Sequence, residues 1–107
     1  MSDITLPKAV EAFVATTNAH DAEALFAVFA DTAVVHDDGN AYTTEEEIRS
    51  WIQVHQIGPK IVLTPTSFND GRLVASVNGE FDGGPMNFAF DFTTEGDLVT
   101  DLAIGLA

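Results

Sequence analysis

A chain of 107 residues that is 46% hydrophobic, with eight phenylalanines and one tryptophan, can bury one core and is too short for two. Seventeen acidic residues against four basic ones leave a formal charge of −13, which repels phosphate backbones and anionic lipid and argues against nucleic-acid or membrane partners. The absence of cysteine excludes a disulfide-stapled fold and thiolate metal sites.

The start, Met1-Ser2-Asp3-Ile4-Thr5, lacks the basic and apolar regions of a signal peptide. No apolar run approaches the roughly 20 residues that span a bilayer, so a cytoplasmic location is expected. No repeat or composition shift divides the chain, and residues 1–107 are expected to form one domain.

Pro7 suits the first turn of a helix, and Val10, Phe13, Val14 and Thr17 follow at the spacing of one helical face. Asn18-Ala19-His20 breaks that pattern. Asp21 then caps a second helix with Leu25, Val28 and Phe29 on one side and an end near Ala30. Ala33-Val34-Val35 reads as a short strand closed by the turn residues Asp38-Gly39-Asn40. Thr44 followed by Glu47 fits a capping box, and Ile48, Trp51, Ile52 and His55 recur on the inner stripe of the third helix.

Gly58-Pro59 stops that helix, and four strand-like segments follow: residues 60–69, 72–82, 86–94 and 98–104. Asn69-Asp70-Gly71, Asp82-Gly83-Gly84-Pro85 and Glu95-Gly96-Asp97 supply the turns between them. The expected fold class is α+β, three N-terminal helices packed on a curved, mostly antiparallel sheet. Alternation points Met86, Phe88, Phe90 and Phe92 toward the helices, with Leu98, Leu102 and Ile104 on the next strand. Asn87, Asp91, Val99, Asp101 and Ala103 then face away, a mixed surface compatible with a homodimer formed through the sheet's outer face.

The stretches Val10-Glu11-Ala12-Phe13-Val14, Asn18-Ala19-His20-Asp21, Phe29-Ala30-Asp31-Thr32-Ala33-Val34-Val35 and Ile48-Arg49-Ser50-Trp51 together resemble the NTF2-like superfamily. Gly39 and the late Phe90-Asp91-Phe92 and Gly96-Asp97-Leu98 extend the likeness to its SnoaL-like and ketosteroid-isomerase-like members, over nearly the whole chain. The resemblance implies a cone with an apolar interior between helices and sheet. It also matches the isomerases' general-base aspartate to His36, and their oxyanion-hole tyrosine and protonated aspartic acid to Phe13 and Phe88. Phenylalanine donates no hydrogen bond, and loss of one oxyanion donor typically costs about a hundred- to a thousand-fold in rate, so steroid isomerisation by that route is rejected. The cyclases' acid-base aspartate falls at Ala103, which weakens that reading too.

If Val34 is inward, His36 and Asp38 point with it into the cone, and an imidazole titrating near neutrality suits proton transfer. The expected catalytic pair is therefore His36 and Asp38. Phe13, Phe29, Tyr42, Trp51, His55, Met86, Phe88 and Phe90 are the expected ligand-binding side chains, with Tyr42 or His55 donating to a substrate oxygen. The ordinary alternatives are a half-solvated strand-end histidine for His36, core packing for Trp51 and the phenylalanines, and a satisfied helix-end histidine for His55. Asp37 and Asp38 beside His36 form no ligand spacing of a zinc enzyme, and an Asp-Gly turn explains them more simply. No metal or cofactor is expected. The expected function is a pocket for a small apolar carbonyl compound, either an isomerase, cyclase or lyase, or a non-catalytic binding module or dimeric scaffold.

Overall fold

A computed structural model describes residues 4–107, so the first three residues of the leader reading lie outside the described residues. Helix α1 (Lys8–Asn18) starts directly after Pro7 and buries Ala9, Val10, Phe13 and Thr17, the face its spacing predicts. Its end is pinned by side chains. The Asn18 amide brackets the Leu63 backbone, donating to its carbonyl at 3.0 Å and accepting from its N–H at 2.7 Å. A ring nitrogen of His20 lies 3.0 Å from the Ile61 carbonyl. These contacts occupy backbone groups next to and on the edge strand and give the Asn18-Ala19-His20 break a structural purpose.

Asp21 caps α2 (Ala22–Phe26) as expected, its side chain accepting from the Ala24 N–H at 3.1 Å. The helix is shorter than the sequence pattern suggests. Phe29 is the first residue of strand β1 (Phe29–Asp37), because the Val28 carbonyl accepts from the Val99 N–H and draws the chain into the sheet. Here long-range pairing overrides a continued helix. Strand β2 (Asn40–Tyr42), not anticipated, folds back on β1 through Asp38 and Gly39, both at positive φ, which Gly adopts freely and Asp tolerates.

Helix α3 (Glu45–Trp51) carries the predicted capping box: Glu47 N–H donates to the Thr44 hydroxyl, and the Glu47 carboxylate accepts from the Thr44 N–H. Hydrogen bonds from the Thr43 backbone and hydroxyl hold the Glu47 carboxyl below its ordinary range. The helix then widens into a π-helical segment, Ile52–Ile57, where the Gly58 N–H reaches the Gln53 carbonyl at 2.8 Å.

Strands β3 (Val62–Asn69), β4 (Arg72–Asn78), β5 (Met86–Glu95) and β6 (Leu98–Leu106) complete one six-stranded sheet in the order β2-β1-β6-β5-β4-β3. All neighbours are antiparallel except β1 and β6. Strand β4 stops at Asn78, before the predicted Asp82. At Gly79 the chain passes so close to the Pro59 carbonyl that a Cβ would lie 2.7 Å from it, and the Glu80 N–H donates to that same oxygen. The loop that follows is thereby tied to the end of the π-helical segment.

The core lies between the helices and the inner sheet face. Phe13 packs edge-on against Phe29 and Phe92, with ring centroids 6.3 and 5.2 Å away, and against Phe90 at 5.9 Å. Asp91 faces outward as parity predicts and takes a bidentate fork from Arg72 at 2.7 and 3.0 Å, which raises the guanidinium pKa. Val99 and Leu98 exchange their predicted faces: Val99 is fully buried and Leu98 is exposed. A register shift beside Thr93 and Thr94 inverts the alternation at the start of β6.

Candidate functional site

Helices and sheet line an open pocket of about 630 Å³, within the few hundred to a thousand cubic ångströms that small-molecule sites occupy. The sheet contributes Leu63, Val77, Phe88, Phe90 and Ile104 to its wall. The π-helical segment contributes three consecutive residues, Val54, His55 and Gln56, and the loop after β4 adds Phe81. Val54 and Leu106 also line the pocket and are largely exposed, 61% and 69%, so they form an apolar rim. The polar end is the β1–β2 hairpin, where Asp37, Asp38 and Gly39 close the wall.

Strand parity decides which of these groups enter. Ala33 and Val35 are buried and Val34 is not, so the inward series on β1 runs through Asp37 rather than His36. The expectation that the His36 ring faces the interior is therefore corrected. Its side chain is 52% exposed on the outer face, 3.7 Å from the outward Asp101. The run Ala33-Val34-Val35 is apolar at adjacent positions, so alternation alone cannot choose its face. His36 lines a smaller hollow of about 260 Å³ at the hairpin, with Asp37, Asn40, Ala41 and Ile104 among its neighbours, and does not line the main pocket. Asp38, expected to follow His36 inward, instead sits at the hairpin tip, with positive φ, bordering both concavities.

Asp37 was missed as a pocket residue. Its Oδ2 accepts a hydrogen bond from Trp51 Nε1 at 2.9 Å. A signal was available, because a buried indole N–H needs an acceptor and Trp51 is 1% exposed. Trp51 stacks edge-on with Phe29, and Tyr42 lies 6.4 Å from both Trp51 and His55, measured between ring centroids.

Among the expected ligand-binding residues, the structure brings His55, Phe88 and Phe90 together on the pocket wall. Phe13 and Phe29 are in the closed core, and Trp51 stands behind Asp37; none of the three reaches the wall. Tyr42 flanks His55, and Met86 lies at the start of β5 with its sulfur near Gly83, outside the wall. Phe13 and Phe29 stay off the wall because they pack against one another, with Phe13 also against Phe90 and Phe92. Gln56 is a further group the sequence pattern did not single out: it is 5% exposed, and its Oε1 has no hydrogen-bond partner. Among the described residues, no three His, Asp, Glu or Cys side chains converge to hold a metal, and no helix is long and apolar enough to cross a membrane.

A family model described as SnoaL-like domain matches residues 10–100. The chain belongs to the SnoaL-like family. A candidate polyketide cyclase from Sinorhizobium meliloti is similar to this SnoaL-like domain at 28% identity, with a TM-score of 0.82 over 94% of this chain and 95% of that one. A Catenulispora acidiphila protein of ketosteroid-isomerase-like fold, solved with trimethylamine, aligns at 23% identity and TM-score 0.79 over 96% and 88% of the two chains. A Mycobacterium tuberculosis protein solved with estradiol-17β-hemisuccinate aligns at 19% and 0.73, covering 92% and 91%. The two more distant structures establish the shared NTF2-like cone. No protein of curated function matches the sequence significantly.

Proposed function

We propose that this SnoaL-like domain binds a small, largely apolar carbonyl compound in the cone and that Asp37, rather than His36, is its proton-transfer group. The observation that carries the reading is the inward carboxylate of Asp37, fixed by Trp51 Nε1 at one end of a pocket otherwise walled by Phe88, Phe90, Ile104 and Leu63. One carboxylate oxygen is held by the indole, and the hydrogen bonds of the described residues leave Oδ1 free to meet a C–H beside a carbonyl. His55, which also lines the pocket, is the imidazole that can donate to the substrate oxygen. The resulting chemistry is enolisation, which serves an isomerase, a cyclase or a lyase without a cofactor. The neighbours solved with a steroid derivative and with trimethylamine support small-molecule binding as the use of this fold.

A non-catalytic role as a sequestering module is the second reading. It is favoured by the scarcity of donors: among the wall's side chains only His55 and Gln56 carry N–H groups to polarise a carbonyl.

Titration calorimetry with 2-acetylnaphthalene, a neutral ketone with exchangeable α-hydrogens, separates these outcomes. Binding of one molecule per chain, weakened at least about tenfold by Phe88→Asp, is expected because the substitution puts a charge on the apolar wall. Absence of binding by this and related neutral ketones overturns the pocket reading. Binding without α-proton exchange into deuterated water selects the sequestering module.

The proposal includes a homodimer through the outer sheet face, where Val34, Val74 and Ala89 lie among the His36–Asp101 and Arg72–Asp91 pairs. Sedimentation equilibrium is expected to give twice the chain mass, and a single-chain mass contradicts the dimer.

A further inference from the structure

Resting on that pocket reading, we infer that the site selects its ligand by charge: beside the carbonyl, the ligand's polar end carries no negative charge and gains from a hydrogen-bond donor, such as an alcohol or a protonated amine on the same apolar body. Four observations converge on this. No lysine or arginine lines the pocket, although two carboxylates do, Asp37 and Asp38. Arg49, Lys60 and Arg72 are each committed elsewhere, to Glu23 and Glu45, to Glu80 and to Asp91. Neither Asp37 nor Asp38 has an ion-pair partner among the described residues.

The fourth observation is Gln56. Its side chain belongs to the wall, is 95% buried by its 5% exposure, and leaves Oε1 without a donor. A buried acceptor without a partner carries a desolvation cost, which a ligand donor that reached it would offset. An anionic head group meets the opposite situation: it loses water beside two like charges, finds no cation, and faces the field of a chain whose formal charge is −13. Exclusion of the wrong ligand by unmatched charge is as effective a source of selectivity as attraction of the right one.

The test uses one apolar body with four substituents: 2-methylnaphthalene, 2-naphthalenemethanol, 2-naphthylmethylamine and 2-naphthoate, titrated calorimetrically into the full chain at neutral pH. The alcohol and the amine are expected to bind at least about tenfold more tightly than the carboxylate. Asp38→Asn, which keeps a residue tolerant of positive φ at the hairpin tip, is expected to narrow the gap between amine and carboxylate. Gln56→Leu is expected to weaken the alcohol while leaving 2-methylnaphthalene unchanged. Equal or tighter binding of 2-naphthoate overturns charge selection while the pocket reading stands, and so does a gap unmoved by Asp38→Asn. Failure of all four compounds, the hydrocarbon included, overturns both.

Discussion

Phe13→Ala is expected to lower the unfolding free energy by about 3–5 kcal/mol, read as a shift of the urea midpoint at unchanged slope. The side chain is fully buried and touches Phe29, Phe90 and Phe92, three rings contributed by β1 and β5. Removing it leaves a void that a sheet held by hydrogen bonds on both sides of β5 cannot collapse to fill. The same variant discriminates between roles. A ring that served the ligand would show its loss mainly in affinity, whereas Phe13 lies outside the pocket wall and its loss falls on stability.

Asp37→Asn is expected to slow α-proton exchange of a bound ketone by about a hundred- to ten-thousand-fold, the ordinary contribution of a positioned general base. Asparagine preserves an acceptor for Trp51 Nε1, so the indole keeps its partner and the hairpin its geometry, while the basic carboxylate is gone. Nuclear magnetic resonance of deuterium incorporation measures the rate, and calorimetry confirms that the ketone still binds. His36→Gln is the control, expected to leave the rate unchanged because its side chain faces Asp101 on the far side of the sheet. Loss of exchange in His36→Gln with retention in Asp37→Asn would reverse the assignment.

The architecture was legible from local chemistry wherever a side chain satisfies the backbone beside it. The Asp21 cap and the Thr44–Glu47 capping box set two helix starts within the sequence window that displays them. The hairpin turn at Asp70-Gly71 is equally local. Errors arose where distant pairing decides. The end of α2 depends on Val99 bonding to Val28, and the burial of Val99 depends on a register shift that no alternation pattern reveals.

The site was half legible for the same reason. His55, Phe88 and Phe90 were identified because helix and strand periodicity place them on the wall. The face of β1 was not, because Val34 and Val35 are chemically equivalent and only the packed sheet separates them. Shifting the inward series by one residue exchanges an imidazole for a carboxylate as the side chain that faces the pocket. Gln56 carries no sequence signal, since its burial follows from the widened turn of Ile52–Ile57.

The parallel pairing of β1 with β6 sets the order in which this molecule can be made. Phe29 aligns with Val99 and Val35 with Leu102, while β2 occupies the other edge of β1. A nascent chain emerging from the ribosome therefore holds an unpaired apolar strand edge until its distal third has been synthesised. Such non-local closure makes folding slow and late relative to translation, and it leaves the growing polypeptide dependent on its acidic, self-repelling surface to stay dispersed in the meantime.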